Sequence, residues 1–138
     1  MKEIYLIIYN NDFIDKINIS KKSDIKLNNF GIKQSKLIGK YFKQKNKQIN
    51  NIISLNTKIT CNIANIIADE INFIDEIIKL DMDNDLFLNH INNNDKIIVI
   101  TNEQITCNIV NKLCNKKNFI IDSYIYKIVY DNNKYTLK

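Results

Sequence analysis

Two kinds of segment alternate along the chain, distinguished by the spacing of their apolar residues. Continuous apolar runs at residues 3–8, 51–54 and 97–100 are typical of strands that are buried on both faces of a sheet. Elsewhere apolar residues recur at spacings of three and four, which predicts helices from Leu27 onward, over about residues 57–70 and 103–115, and more weakly over 82–92. Residues 72–80 are ambiguous, and a strand is the favoured interpretation.

The helical patterns also predict which side chains are buried. Asn28 is the expected N-cap of the first helix, because its side chain can accept a hydrogen bond from a free N–H of the first turn. The residues expected on the inward face of this helix are Phe30, Leu37, Ile38, Tyr41 and Phe42. The residues expected on the inward face of the next helix are Ile59, Ile63, Ile66 and Ile67.

The end of the chain predicts a β-hairpin, with the turn DNNK between SYIYKIVY and YTL. In the longer strand, alternate positions place four side chains on one face: Tyr124, Tyr126, Ile128 and Tyr130. Cross-strand packing explains these tyrosines. An exposed, tyrosine-rich edge that holds a protein partner is the alternative, since tyrosine is favoured in the cores of interfaces.

Strands that alternate with helices predict an α/β fold. We expect a single domain over residues 1–138, organised as a three-layer sandwich with a mostly parallel sheet, helices on both faces and a C-terminal antiparallel hairpin. Ligands of such sheets bind beyond the carboxyl ends of the strands. Residues 8–10, 54–58 and 101–103 are therefore the segments where a site is expected.

Composition restricts the chemistry of any such site. The chain has a net charge of +5, but its lysines are spread along the sequence without a basic stripe, which argues against nucleic acid as a partner. Arginine is absent, so the planar, bidentate phosphate contact that it provides is absent too. More than half of the residues are Asn, Ile or Lys, and their AT-rich codons indicate an AT-rich genome.

The remaining candidates for chemistry have simpler structural explanations. Cys61, Cys107 and Cys114 form no CxxC pair and are expected to be buried free thiols in a reducing, cytoplasmic compartment. No apolar run approaches the roughly 20 residues of a membrane span. We expect His90 to be an exposed or capping residue. The carboxylates of residues 81–85 lack the glycine and glutamate of a calcium loop and are expected at a helix N-terminus or in a solvated loop, so neither a metal nor a cofactor is predicted.

Five segments together resemble the histidine phosphatase superfamily, also called the phosphoglycerate mutase-like family. IYLIIYN is similar to the opening strand of that family, which ends Arg-His-Gly, and KIIVITNEQITCNIVNKL is similar to the strand ending Ser-His-Gly with its helix. LNNFGIKQSKLIGKYF places Leu27, Gly31 and Gln34 in register with Leu-Thr-x-x-Gly-x-x-Gln. NIISLNTKITCNIANIIADEI and SYIYKIVYDNNKYTLK resemble the segment with a serine at a strand end and the closing hairpin.

The resemblance implies a fold, a chemistry and a shortened cap. In the family the first histidine attacks phosphate, two arginines and the second histidine hold the phosphoryl oxygens, and a carboxyl group protonates the leaving group. The family inserts an elaborate cap over the active site, and this chain is expected to have a reduced one between about Leu80 and Asp95.

Position by position, the resemblance leaves few of these groups in place. Ile8, Tyr9 and Asn10 stand at the Arg-His-Gly positions, and Asn102 stands at the second histidine. Ser54 and Thr101 match serine positions, whereas Lys58 stands at the second arginine. A phenol is mostly protonated at neutral pH and is therefore a weak nucleophile.

The carboxylates Asp12 and Asp15 in the first loop would repel an anion, whereas Lys21, Lys22 and Lys58 would attract one. Weak anion or phosphate binding at Tyr9, Ser54, Lys58 and Asn102 therefore stays open.

The sequence thus predicts a pseudoenzyme, with a binding or structural role and a protein partner or larger assembly still to be identified. A phosphatase or phosphoglycerate mutase-like enzyme with residual or altered phosphoryl chemistry is the first alternative. A weak polyanion-binding protein is the second, and binding that falls steeply with salt would distinguish it.

Overall fold

The computed structural model describes residues 1–15 and 26–138. Lys21 and Lys22 lie outside the described residues. The strands are β1 (Lys2–Ile8), β2 (Asn51–Leu55), β3 (Ile78–Leu80), β4 (Lys96–Thr101), β5 (Ile125–Asp131) and β6 (Lys134–Leu137). The helices are α1 (Asn29–Gln44), α2 (Lys58–Ile71), α3 (Asn84–Asn92) and α4 (Glu103–Cys114), and a one-turn 3-10 helix covers Asn11–Phe13.

The six strands form one sheet in the order β3-β2-β4-β1-β5-β6. β1, β2, β3 and β4 are parallel, whereas β5 runs antiparallel to β1 and forms a hairpin with β6. The predicted α/β fold with a C-terminal antiparallel hairpin is therefore confirmed. Between β3 and β4 the chain forms only the short helix α3, in the place where a reduced cap was expected.

Each face of the sheet has its own apolar core, which explains why the central strands are apolar without interruption. Tyr5 and Ile7 of β1 point into the core covered by α1 and α2. Ile4 and Leu6 point into the core covered by α3 and α4. Most of these side chains are fully buried, and burial of one such side chain contributes about 1.5–3 kcal/mol.

The helix α1 is confirmed, but its predicted inward face is partly wrong. Asn28 is the N-cap, and its side-chain oxygen accepts a hydrogen bond from the Gly31 N–H at 2.8 Å. Ile38 and Phe42 are buried, whereas three residues expected to be buried are substantially exposed: Phe30 (40%), Leu37 (48%) and Tyr41 (39%). The inward face instead contains small residues: Gly31, Ser35 and Gly39.

The small residues allow close packing that bulkier side chains would prevent. A Cβ atom on Gly39 would lie 2.6 Å from the Cβ of Glu70, so α1 and α2 approach closely at this position. A Cβ atom on Gly31 would lie 2.8 Å from the carbonyl oxygen of Phe13, so α1 also packs closely against the 3-10 helix. Hydrophobic periodicity alone does not reveal such a face, because glycine and serine contribute nothing to it.

Smaller corrections concern α2, residues 72–80 and the cysteines. In α2 Ile66 is only partly buried, whereas the other three isoleucines of the predicted face are buried. Only Ile78–Leu80 of residues 72–80 form a strand. Cys61, Cys107 and Cys114 are free thiols, as predicted, but they are partly exposed instead of buried.

The tyrosines of the closing segment do not all share one face. Tyr124 precedes β5 and packs on the α1 side, where its ring lies 5.0 Å from that of Phe13. Tyr126 packs on the opposite side, 5.2 Å from the ring of Phe119. The ring of Tyr130 lies 4.5 Å from that of Tyr135 on β6. Cross-strand packing thus accounts for the position of Tyr130. The strand at this edge of the sheet is β6, so β5, which carries Tyr126 and Tyr130, is not an edge strand.

A buried carboxylate fixes the amino end of β1. Glu3 is only 3% exposed, and its side chain accepts a hydrogen bond from the Tyr5 hydroxyl. The ammonium groups of Lys47 and Lys127 lie 3.2 and 3.6 Å from its oxygens. Burial raises the pKa of Glu3, but the hydrogen bonds from Tyr5 and Lys47 and the charge of Lys127 outweigh it, so the net pKa is lowered. The charged form is therefore the one that stabilises the fold.

The Glu3→Gln substitution should reduce the free energy of unfolding at pH 7 by about 1–3 kcal/mol, because it removes the ion pairs of a buried group. Since the pKa of Glu3 is lower in the folded state, its contribution is complete well above the usual value of 4.5 and is lost as the pH falls below it. Urea denaturation from pH 7 to pH 3 measures both effects.

The exposed carboxylate of Glu76 offers a matched control. Glu76→Gln should leave stability within about 0.5 kcal/mol of the unsubstituted protein. A Glu3→Gln variant as stable as the Glu76→Gln variant at pH 7 would show that the buried carboxylate does not stabilise the sheet.

Candidate functional site

The carboxyl ends of β1 and β4 form the centre of the candidate site. The two strands are parallel neighbours, with Ile8 opposite Thr101. The backbone N–H of Tyr9 donates to the carbonyl oxygen of Thr101 at 3.0 Å, which continues the pairing one residue beyond the strand. Tyr9 and Asn102 therefore lie side by side, as expected for a site at a switch between neighbouring strands.

Two adjoining clefts open at this edge of the sheet. The first has a volume of about 290 Å³ and is lined by Tyr9, Asn10, Asn11, Asn102, Glu103 and Gln104. The second has a volume of about 420 Å³ and is lined by Asn10, Glu103, Ile121, Asp122, Ser123 and Tyr124. Because Asn10 and Glu103 belong to both linings, the two clefts form one continuous depression.

Asn10 and Asn102 have structural roles as helix caps. The side-chain oxygen of Asn10 accepts a hydrogen bond from the Asp12 N–H at 2.8 Å and caps the 3-10 turn. The side-chain oxygen of Asn102 accepts from the Ile105 N–H at 2.9 Å and caps α4. Both amides therefore satisfy backbone donors that would otherwise lack partners at a helix start.

The other positions singled out from the sequence do not line these clefts. Ile8 is 1% exposed and belongs to the core, and its N–H donates to the carbonyl oxygen of Tyr124 at 2.8 Å. Ser54 is fully buried, and its hydroxyl donates to the carbonyl oxygen of Leu55 at 2.9 Å. Lys58 is exposed at the first position of α2. The structure thus brings Tyr9, Asn10 and Asn102 together without Ser54 or Lys58.

Thr101 is completely buried, and among the described residues its hydroxyl has no hydrogen-bond partner. Ile8 is its neighbour on β1 and presents only a hydrocarbon side chain. A buried hydroxyl without a partner is costly, since it loses its hydrogen bonds to water.

Among the residues that the structure describes, the charged groups that line the two clefts are carboxylates, those of Glu103 and Asp122. Asp122 is fixed by Tyr126, whose hydroxyl donates to the carboxylate at 2.6 Å and accepts from the Asp122 N–H at 2.7 Å. Burial raises the pKa of Tyr126, and its hydrogen bond to Asp122 raises it further. Asp12 lies nearby, because the Tyr124 hydroxyl donates to it at 3.3 Å.

Sequence reasoning missed the residues around Asp122. β5 runs antiparallel to β1, so the segment before β5 reaches the same edge as the segment after β1. The predicted hairpin contained this signal, because its first strand, SYIYKIVY, begins directly after Asp122. Glu103 lies in the predicted segment 101–103, but the sequence assigned it no role of its own.

Other candidates from the sequence lie elsewhere. His90 is partly exposed on α3 and lines neither cleft. Asp83 caps α3 and accepts hydrogen bonds from the N–H groups of Asp85 and Leu86 at 2.9 and 3.4 Å, as expected for a helix N-terminus. In the described part of the chain, no group of three or more His, Cys, Asp or Glu side chains could hold a metal ion. Within the same ranges, 1–15 and 26–138, no helix has the length and apolar character needed to span a membrane.

No protein-family model matches the sequence, and no curated protein sequence is significantly similar to it. Solved structures, in contrast, share its fold. A structure of the protein histidine phosphatase SixA complexed with tungstate has a TM-score of 0.81 and 13% sequence identity, with coverage of 99% of this chain and 94% of that chain.

Two phosphoglycerate mutases are also similar in structure. The enzyme from Plasmodium falciparum has a TM-score of 0.67 and 16% identity, covering 99% of this chain and 88% of that chain. The enzyme from Bacillus anthracis also has a TM-score of 0.67, with 12% identity and coverage of 99% and 91%. The chain therefore has the fold of the histidine phosphatase superfamily, and the predicted resemblance is confirmed at the level of the fold.

The Asn102→Ala substitution should lower the free energy of unfolding by about 1 kcal/mol, because α4 loses its N-cap. Asn102→Asp keeps an oxygen acceptor at this position and should be close to neutral. Asn111 lies on the exposed side of α4, and Asn111→Ala should not destabilise the protein, since alanine is the better helix former. Thermal and urea denaturation measure the three variants; equal stability of the Asn102→Ala and Asn102→Asp proteins would contradict the capping role.

The Thr101→Val substitution should raise the free energy of unfolding by about 1 kcal/mol, because it replaces a buried hydroxyl without a partner by a methyl group of similar size. Thr106→Val is the matched control. Thr106 is also fully buried, but its hydroxyl donates to the carbonyl oxygen of Asn102 at 2.9 Å. The control should therefore be destabilised by about 1 kcal/mol, and a change of the same sign in both variants would contradict the difference between the two hydroxyls.

Proposed function

We propose that the chain is a catalytically inactive member of the histidine phosphatase superfamily that acts by binding, as a partner protein or as a subunit of a larger assembly. The observation that carries this proposal is the charge of the clefts at Tyr9 and Asn102. Within residues 1–15 and 26–138, the charged groups in their linings are those of Glu103 and Asp122, and both are anionic. Phosphoryl transfer develops negative charge on the transferred group and needs cationic or strongly polar donors around it.

The groups at the family's catalytic positions support the same conclusion. Asn10 and Asn102 use their side-chain oxygens as helix caps. An amide cannot carry a proton between substrate and solvent as an imidazole can. Ile8 is buried in the core and offers no charge. Loss of one good electrostatic donor already lowers the rate of the chemical step by about 100-fold to 1,000-fold. Loss of several donors should therefore abolish the reaction.

Residual or altered phosphoryl chemistry would have to depend on Tyr9 and Lys58. Lys58 belongs to neither cleft lining. Phosphoryl transfer needs a nucleophile and a cation around one phosphate group, and the position of Lys58 outside both linings argues against that arrangement. A binding function requires neither, and a fold of this type can host it.

The three free thiols support a cytoplasmic location for this protein, because cysteines stay reduced there. The spread of the lysines along the chain argues against nucleic acid as the partner. We therefore propose a protein as the partner.

A continuous assay with p-nitrophenyl phosphate tests the proposal directly. We expect the purified protein to hydrolyse the ester no faster than the buffer does, and the Tyr9→Phe variant to give the same result. Tyr130→Phe is the control, since Tyr130 packs against Tyr135 on the hairpin. Turnover that is lost in Tyr9→Phe but retained in Tyr130→Phe would overturn the proposal and establish an enzyme that uses Tyr9.

A further inference from the structure

A groove runs along the outer side of α1, away from the clefts at Tyr9. α1 packs against α2 and the 3-10 turn, and α4 covers β6 from the opposite face of the sheet. A helix is about 10 Å wide and strands lie about 4.8 Å apart, so one helix covers about two strands. α1 and α2 are therefore too few to cover six strands, and β5 and β6 extend beyond α1 on this face.

The groove has a volume of about 430 Å³, and its lining includes Tyr5, Leu37, Tyr41, Ile125, Lys127 and Lys138. Leu37 and Tyr41 are the residues whose pattern predicts burial, yet they are 48% and 39% exposed. Their apolar surface faces the gap between α1 and β5. Sites for small molecules commonly have volumes of about 300–1,000 Å³ and mainly apolar linings with a few polar groups.

In the described part of the chain, the charged residues that line this groove are two lysines, Lys127 and Lys138. Lys127 and Lys138 are neighbours across the hairpin, because the Lys138 N–H donates to the carbonyl oxygen of Lys127 at 2.8 Å. Glu3 is the carboxylate beside Lys127, and it also pairs with Lys47. One carboxylate shared by two lysines leaves a net charge of +1, to which the side chain of Lys138 adds a further positive charge.

The side chain of Lys127 is already held in place before any ligand binds. Its ammonium group lies 3.6 Å from a Glu3 oxygen and 5.6 Å from the centre of the Tyr5 ring. Glu3 and Tyr5 are both almost completely buried, so their side chains hold fixed positions and keep the ammonium group of Lys127 ordered. A cation that is already ordered costs little side-chain entropy on binding an anion.

We propose that this groove binds a small amphipathic carboxylate, independently of the function proposed for the protein as a whole. The hydrocarbon part packs between Leu37, Tyr41 and Ile125. The carboxylate lies against the ammonium groups of Lys127 and Lys138. A second copy of this chain fits less well, because a two-fold contact would bring the lysines of the two copies together.

Titration of the ¹⁵N-labelled protein with sodium octanoate tests the proposal. We expect saturable amide shifts in α1 and β5, with weaker binding of the neutral 1-octanol and none of octylammonium. Leu37→Asn should weaken octanoate binding by roughly tenfold, and Lys138→Met by roughly threefold, since a tenfold change corresponds to about 1.4 kcal/mol. The effect of Lys138→Met should shrink at high salt.

Two control variants carry the same chemical changes outside the groove. Leu86 is 40% exposed on α3, and Lys134 is exposed at the start of β6. Leu86→Asn and Lys134→Met should bind octanoate as the unsubstituted protein does. Equal losses of octanoate affinity in the groove and control variants would overturn the proposal, and so would equal affinities for octanoate and 1-octanol. A third contradicting result is the absence of saturable amide shifts up to roughly 10 mM octanoate, a concentration at which a ligand with a Kd of about 1 mM would fill the groove.

Discussion

The parallel pairing of β1 with β4 is the constraint on which the candidate site depends. The pairing continues from Ile8 and Thr101 to the hydrogen bond between the Tyr9 N–H and the Thr101 carbonyl. It therefore fixes where both loops begin and brings Tyr9 beside Asn102. Both strands are buried on two faces, so a one-residue shift in register would move each side chain into the opposite core and disrupt the packing on both faces at once. The sheet, and not the side chains of Tyr9 and Asn102, therefore sets where these two loops lie.

Asparagine has a conformational role in this chain beyond the codon bias that its abundance suggests. Within the described residues every non-glycine residue with positive φ is an asparagine. Asn72 and Asn115 end α2 and α4 in the left-handed conformation, with φ of 57° and 53°. Asn132 and Asn133 form the hairpin turn with φ of 52° and 61°. Glycine usually occupies such positions, and asparagine is the residue that replaces it at the lowest cost. A chain with only two glycines can therefore still form sharp helix ends and a tight hairpin.

The sequence predicts the sheet better than the helix faces. The apolar runs of β1, β2 and β4 are long enough to identify buried strands, and Tyr9, Asn10 and Asn102 directly follow the ends of β1 and β4, where those runs place them. The face of α1 was partly wrong because Gly31 and Gly39 determine it by close approach, which hydrophobicity does not record. Asp122 was missed because its position depends on the antiparallel return of the chain, a tertiary feature.

The helix caps link the edge of the sheet at Tyr9 and Asn102 to the stability of the fold. A strand that leads into a helix needs an acceptor for the first free N–H groups, and Asn102 supplies one. A histidine at this position would give up that acceptor in exchange for a proton-transfer group. The cap on α4 stabilises the helix whether or not a ligand is bound at this edge. Asn10 and Asn102 therefore stabilise the fold at the same edge of the sheet where the two clefts open.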